Sequence, residues 1–370
     1  MKNSSLKDLI IEKIKKEKAV TFADFMEMAL YYPELGYYTK KRDPATIPDY
    51  YTSVELHPVF GETIAAQISH LANPVLQKSK ESFTVIEMGA GKGILACDIL
   101  NGLRKRNKGL YDRVDFVLIE ANRSLLAEAG KILGEHKPKV SFASSAEEFL
   151  KESEEDSVTG CIVSNELIDS FPVHRIRKEK GKIKEIYVSW DGAEFKEVLG
   201  EISGEEVKEY INRYGIELKE GCQAEVNLKI SDWVREVSSI LKRGFLITID
   251  YGYLADKLYS EIFPDGTLRC YRKHKIDTNP YEGVGMKDIT SHVNFSDLEY
   301  NGCINGFKLI DFTTQRDFFL RWGILDYVTK FAVGKEAFTT ELFSELEAIK
   351  NLLLPDGMGE VFKVMIQRKG

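Results

Sequence analysis

Between Phe83 and Arg106 the hydrophobic period of the chain changes once. Phe83, Val85, Ile86 and Met88 form a short apolar, partly β-branched run that predicts a buried strand. From Ile94 onward the apolar positions Leu95, Ile99 and Leu103 recur at helical spacing. The run ends in Arg104, Lys105 and Arg106, cations suited to the negative end of a helix dipole. Gly89, Gly91 and Gly93 occupy the junction. The same alternation recurs downstream. Val114 to Glu120 predicts a second buried strand, Ser124 to Leu133 a helix and Val140 to Ala143 a third strand. Cys161 to Val163 predicts the fourth, and Ser231 to Leu241 a helix capped by Gly244. Phe245 to Ile249, Phe307 to Phe312 and Val361 to Arg368 predict the remaining three strands, with helix over Arg316 to Leu353. Strands alternating with helices predict an α/β fold, a Rossmann-like sheet of seven mostly parallel strands.

Three stretches depart from that alternation. Leu6 to Ile14, behind Ser4 and Ser5, and a second helix from Thr21 that stops at Tyr32-Pro33 carry apolar groups at helical spacing. With a loop over Arg42 to Asp49 and a helix from His57 to His70, they predict an N-terminal helical cap over residues 1–80. Between Arg175 and Val226, Ile183, Ile186, Val188, Trp190 and Phe195 alternate with charges around the turn pairs Lys180-Gly181 and Asp191-Gly192. This predicts an antiparallel β meander inserted at 175–226 into a core of 81–174 and 227–370. Residues 254–301 are polar and turn-rich, and are expected to be a long loop serving as a lid or acceptor wall.

The formal net charge of −7 argues against nonspecific nucleic-acid binding, which draws on a basic face. Cys97, Cys161, Cys222, Cys270 and Cys303 are scattered and never paired as C-x-x-C, so neither a metal site nor a disulfide framework is expected. No apolar run approaches the roughly 20 residues a membrane span requires. The first twenty residues mix acids with lysines, unlike a signal or transit peptide, and the expected setting is the cytoplasm.

The glycine junction narrows the ligand. A turn this tight calls for positive φ, and a ligand lying on the backbone leaves no room for Cβ. A dinucleotide fingerprint places its third glycine where Ile94 stands, and a phosphate-binding P-loop frames Gly91-Lys92 differently. What remains is E-x-G-x-G-x-G from Glu87 to Gly93. It resembles the cofactor loop of class I S-adenosylmethionine methyltransferases, whose ligand presents a carboxylate and an ammonium. The expected cofactor contacts are Glu87, Gly89, Ala90, Gly91 and Gly93. Glu120 stands at the tip of the second strand, where a carboxylate receives ribose hydroxyls. Ser144, after the third strand, is either an adenine contact or a cap for the helix from Ala146. Thr52 and Ser53 are further cofactor candidates. Asn165, Glu166 and Asp169 follow the fourth strand, at the carboxyl edge where ligands and chemistry gather, and are the candidate catalytic residues.

Further blocks sharpen the resemblance. PELGYYTK (Pro33 to Lys40), YTSVELHPVFGE (Tyr51 to Glu62), SNELIDSFPVHRI (Ser164 to Ile176), LITIDYGY (Leu246 to Tyr253), GTLRCYRKH (Gly266 to His274) and DITSHVNF (Asp288 to Phe295) are similar, in order, to those of the MidA family. That family of S-adenosylmethionine-dependent methyltransferases includes a mitochondrial complex I assembly factor that methylates an arginine of a complex I subunit. Here Ala90 and Lys92 replace the proline and arginine common in the family's turn. The resemblance implies the class I fold, S-adenosylmethionine as donor and a protein acceptor, with a respiratory complex subunit or assembly partner in view. For an arginine acceptor, Glu166 and Asp169 are positioned to hold the guanidinium, and Asn165 to hold a polar edge of donor or acceptor. A small-molecule methyltransferase and a non-catalytic assembly factor on the same fold are the alternatives.

Overall fold

The computed structural model describes residues 5–41, 52–76, 82–153, 155–272, 275–333 and 340–370. The loop expected over Arg42 to Asp49 lies outside the described residues. The chain divides into two compact units.

One unit comprises Tyr51–Leu167, Val234–Tyr251 and Glu299–Gly370. Its sheet strands are β1 (Phe83–Met88), β2 (Val114–Ile119), β3 (Val140–Ala143), β4 (Val158–Asn165), β5 (Leu241–Tyr253, whose last two residues belong to the other unit), β6 (Phe307–Thr314) and β7 (Phe362–Lys369). They lie in the order β6-β7-β5-β4-β1-β2-β3. Strand β7 runs antiparallel to both of its neighbours, and the pairings from β5 through β3 are parallel. This is the α/β sheet the alternation predicts. The chain leaves β1 toward β2 and β3 and later returns on the other side as β4, so the topological switch point lies between β1 and β4. Register pairs Met88 with both Ile119 and Ser164, which aligns the carboxyl ends of three strands.

The core around this sheet includes Phe60 and Ile64 from helix Val59–Leu76, Leu95 and Ile99 from helix Ile94–Arg106, Phe116, Leu118, Ile247, Phe318 and Ile366. Each such side chain removed from water contributes about 1.5–3 kcal/mol. Gly244, expected to cap a helix, instead lies inside β5. Helix Lys229–Ile240 passes directly into that strand, and a Cβ at Gly244 would fall 1.9 Å from the carbonyl oxygen of Gly160 on β4.

The other unit comprises Met1–Tyr50, Ile168–Trp233 and Gly252–Leu298. Its meander contains His174–Glu179, Lys182–Trp190, Phe195–Gly200 and Gln223–Val226. Helix Leu6–Glu17 starts at a capping box between Ser5 and Asp8, and Thr21 caps helix Phe22–Tyr31. Val20 and Thr21 pair antiparallel with Val188 and Tyr187. Ile10, Phe22, Phe25, Val188, Phe195, Leu268, Cys270 and Ile289 share one buried cluster. The first two helices therefore group with the meander, and the division falls after Tyr50 where residue 80 was expected. The same cluster explains why 254–301, expected as a loop, carries strands Arg269–Arg272 and Asp288–Thr290, and the exposed Lys275–Asp277 pairs with the first of them. Its apolar residues have a core to enter.

Candidate active site

The turn after β1 is suspended from the neighbouring strand. The N–H groups of Gly89 and Ala90 both donate to the carbonyl of Ile119, at 2.9 and 3.2 Å, and Gly93 N–H donates to Ala90 at 2.8 Å. All three glycines have positive φ: +74° at Gly89, +53° at Gly91 and +72° at Gly93. Their surroundings differ. A Cβ at Gly89 would lie 2.9 Å from Leu167 Cδ1, and one at Gly93 would lie 2.9 Å from Ala129 Cβ. At Gly91 nothing lies within 4 Å. Two glycines permit close packing, and the middle one faces open space.

Glu87, on β1, stands two residues before Gly89. It is buried, and its Oε2 has no hydrogen-bond partner among the described residues. Burial pushes its carboxyl up to about 8. The Ala96 N–H, from the first turn of helix Ile94–Arg106, opposes the shift, and the charges of Glu120 and Asp98 add to it. A buried acid with an unused oxygen suits a cation brought in by a ligand.

Glu120 follows β2. Its Oε2 accepts from Gly91 N–H at 2.9 Å and its Oε1 from Asn122 N–H at 2.8 Å. Asn122, absent from the sequence-based candidates, fixes this corner. It is buried, and its Oδ1 caps helix Arg123–Ile132 by accepting from Ser124 N–H at 3.1 Å. Asparagine two residues beyond a strand-tip acid, at a helix start, was the available signal. Ser144 donates its N–H to Glu148 Oε2 at 2.5 Å and its hydroxyl to the same oxygen, while Ser145 caps helix Ala146–Glu152.

A third group gathers after β4. Glu166 adopts φ +48°, a left-handed conformation that costs a non-glycine residue roughly 1–3 kcal/mol and concentrates at functional sites. Its N–H donates to the carbonyl of Ile249 on β5 at 3.0 Å. Three donors converge on its Oε1: Ser53 N–H at 2.9 Å, Ser53 hydroxyl at 2.7 Å and the Asn165 amide at 3.2 Å. Ser53 is fully buried at the start of helix Ser53–Leu56, and Thr52 holds the cap position without a side-chain cap bond. The structure thus joins Ser53, Asn165 and Glu166. Asp169 belongs to the other unit, buried on the 3₁₀ turn Ile168–Ser170, where its carbonyl accepts from Ser291 N–H at 2.9 Å. His174 is engaged within the meander, its Nδ1 2.8 Å from Glu185 Oε1.

Among the described residues no His, Cys, Asp and Glu cluster is arranged to hold a metal, and no helix is long and apolar enough to cross a membrane. The chemistry available is backbone and carboxylate recognition of a ligand carrying both an ammonium and hydroxyls. The unused Glu87 oxygen and the open face of Gly91 fit the amino-acid end of S-adenosylmethionine.

Comparison with known proteins agrees. The chain is 27% identical over 324 residues to the protein arginine methyltransferase NDUFAF7 homolog, mitochondrial, of Caenorhabditis elegans, covering 80% of this chain and 71% of that one. It is 26% identical to the Drosophila melanogaster protein of the same name, covering 79% and 69%. The crystal structure of a COG1565 superfamily member from Burkholderia thailandensis, bound to S-adenosyl-homocysteine, superposes with a TM-score of 0.85 at 26% identity, covering 98% of this chain and 92% of that one. The expected cytoplasmic setting is corrected by these relatives, since both curated proteins are mitochondrial by name. A family model described as S-adenosyl-L-methionine-dependent methyltransferase matches residues 59–313. With most of its length matched and with a donor-shaped turn at the carboxyl end of β1, the chain belongs to that methyltransferase family, as its MidA-like sequence blocks implied.

Proposed function

We propose that this enzyme methylates an arginine side chain of a partner protein. The observation that carries the reading is Glu166, held in a left-handed conformation with three donors fixing one of its carboxylate oxygens. The names of the curated relatives support arginine as the acceptor, and the family resemblance favours a respiratory complex subunit or assembly partner.

S-adenosylmethionine supplies a methyl already activated by its sulfonium, so the protein's work is alignment and exclusion of water. In this reading Glu87 receives the ammonium, and the backbone at Gly89, Ala90, Gly91 and Gly93 bears the amino-acid end. Glu120 takes the ribose, Ser144 lies on the adenine side, and Thr52, Ser53 and Asn165 complete the cofactor contacts. An arginine guanidinium keeps its proton, with a pKa above about 12, and its charge is delocalised. Glu166 holds it in one orientation, draws positive charge toward the bound nitrogens and leaves another nitrogen to face the methyl; that nitrogen exchanges one N–H for the new N–C bond, and the proton is released to water.

Truncating one partner of a desolvated charge pair costs roughly 2–5 kcal/mol. Glu166→Gln is therefore expected to slow transfer by at least about thirtyfold while the donor still raises the melting temperature. The direct test incubates the protein with methyl-labelled donor and a mitochondrial protein extract, followed by acid hydrolysis. Label is expected in methylarginine. Label confined to small molecules would overturn the acceptor assignment.

A further inference from the structure

The turn after β1 carries one side chain to which donor binding assigns no task. Lys92 stands between Gly91 and Gly93, where the family's turn commonly has arginine. Its Nζ lies 3.5 Å from Glu55 Oε1, and both side chains are half-buried. Glu55 belongs to helix Ser53–Leu56, the short helix whose Ser53 donates twice to Glu166. One helical turn therefore reaches two parts of the site, the donor turn through Glu55 and the acceptor carboxylate through Ser53. All of these residues belong to one compact unit.

A four-residue helix cannot hold itself, because nucleation costs more than a single turn returns. Thr52 supplies no side-chain cap bond at its start. Val54 and Leu56 rest against the apolar core of the unit. At the far end the buried His57 accepts from Val59 N–H on Nδ1 at 3.0 Å, which ties the turn to helix Val59–Leu76. That helix packs closely on helix Ile94–Arg106, since a Cβ at Gly61 would lie 2.5 Å from Asp98 Cβ. Toward the glycine turn, Lys92 is the cation that meets the short helix, and the residue before it, Gly91, is clasped by Glu120.

We propose that Glu55 and Lys92 are positioning residues that couple the donor turn to Glu166. The inference rests on the function proposed above and supplies the link between its donor and acceptor halves. A donor seated on the backbone at Gly91 fixes the neighbouring Lys92. Lys92 holds Glu55, and the helix then presents the N–H and hydroxyl of Ser53 to Glu166 Oε1. An ion pair between half-buried side chains near the surface adds little to stability. Its work lies in geometry, where a displacement of about 1 Å can cost on the order of a hundredfold in rate. The ammonium meets one carboxylate oxygen as a point charge, a task that an arginine at the same position also performs.

The test follows methylarginine formation from methyl-labelled donor in a mitochondrial protein extract, at saturating donor, beside donor affinity by calorimetry. Glu55→Gln and Lys92→Met are each expected to slow transfer about tenfold. Donor affinity and the ligand-free melting temperature should stay at wild-type values. The double variant should be no slower than either single one, because both remove the same link. Lys92→Arg, which keeps the charge, should retain the wild-type rate. Wild-type rates in both single variants, additive losses in the double variant, or a loss confined to donor affinity would overturn the proposal. A second measurement does not depend on the acceptor. With S-adenosylhomocysteine saturating, amide exchange over residues 53–57 should be about threefold faster in Lys92→Met than in the wild type, as loss of one such ion pair allows. Equal exchange in the two proteins would overturn the link. A wild type that shows this difference and binds donor, yet makes no methylarginine, would instead strike the function proposed above.

Discussion

The two sides of the glycine turn use the same residue types to opposite ends. On the inner side, Gly89 and Gly93 are glycines because neighbouring side chains leave no room, and Glu87 is sealed from water with one oxygen unused. On the outer side, Gly91 faces open space, and Glu120, half-exposed, accepts from two backbone N–H groups. Sequence alone reads these as three alike glycines and two cofactor-facing acids. Substitution on the inner side should therefore disturb folding and proton balance, and on the outer side the ligand.

The sharpest division is expected at the glycines. Gly91→Val should remove donor binding by at least a hundredfold, erasing the donor-induced thermal shift. The ligand-free protein should lose only the roughly 1–2 kcal/mol that a left-handed β-branched residue costs. Gly93→Val should add to that backbone cost an overpacking penalty against Ala129 of about 1–3 kcal/mol, read as a lower denaturation midpoint without ligand. Equal ligand-free stability of the two variants would break the distinction.

The acids come next. Glu87 has a folded-state pKa raised to about 8, chiefly by burial, against about 4.5 unfolded. Below 4.5 both states hold the proton. As pH rises toward 8 only the unfolded state releases it, so the wild type loses stability across this window and levels off above it. Glu87→Gln should flatten that slope, gaining about 2–4 kcal/mol on the wild type between pH 4.5 and pH 8.5 in chemical denaturation. An ammonium arriving beside Glu87 would expel its proton. Wild-type donor affinity should therefore rise with pH up to about 8, and the variant's should not. The smallest change is expected at Glu120→Gln, where the amide oxygen still accepts but its charge is gone. Donor affinity should fall about fivefold, with little change in the ligand-free midpoint.

How far the chain discloses itself follows from the range of each interaction. Strand β3 is found where Val140 to Ala143 marks it, and β1 with its glycine turn is visible because period and turn chemistry are local. The grouping of helices Leu6–Glu17 and Phe22–Tyr31 with the meander depends on pairs such as Val20 with Val188, which no local pattern announces. The same holds at the site. Glu87 and Glu120 are legible as strand-end acids. The strained backbone of Glu166 is not, since nothing in Asn-Glu-Leu signals positive φ, and its anchor Ser53 is 113 residues away.

The suspension of the turn from Ile119 has a consequence for engineering. Gly89 and Ala90 hang from that one carbonyl, and the next residue along, Glu120, clasps Gly91. Glycine turn and strand-tip acid thus form a single bracket drawn from two strands. Grafting residues 87–93 alone into another scaffold would deliver a hook without its wall, and a working transplant has to carry the end of β2 with it.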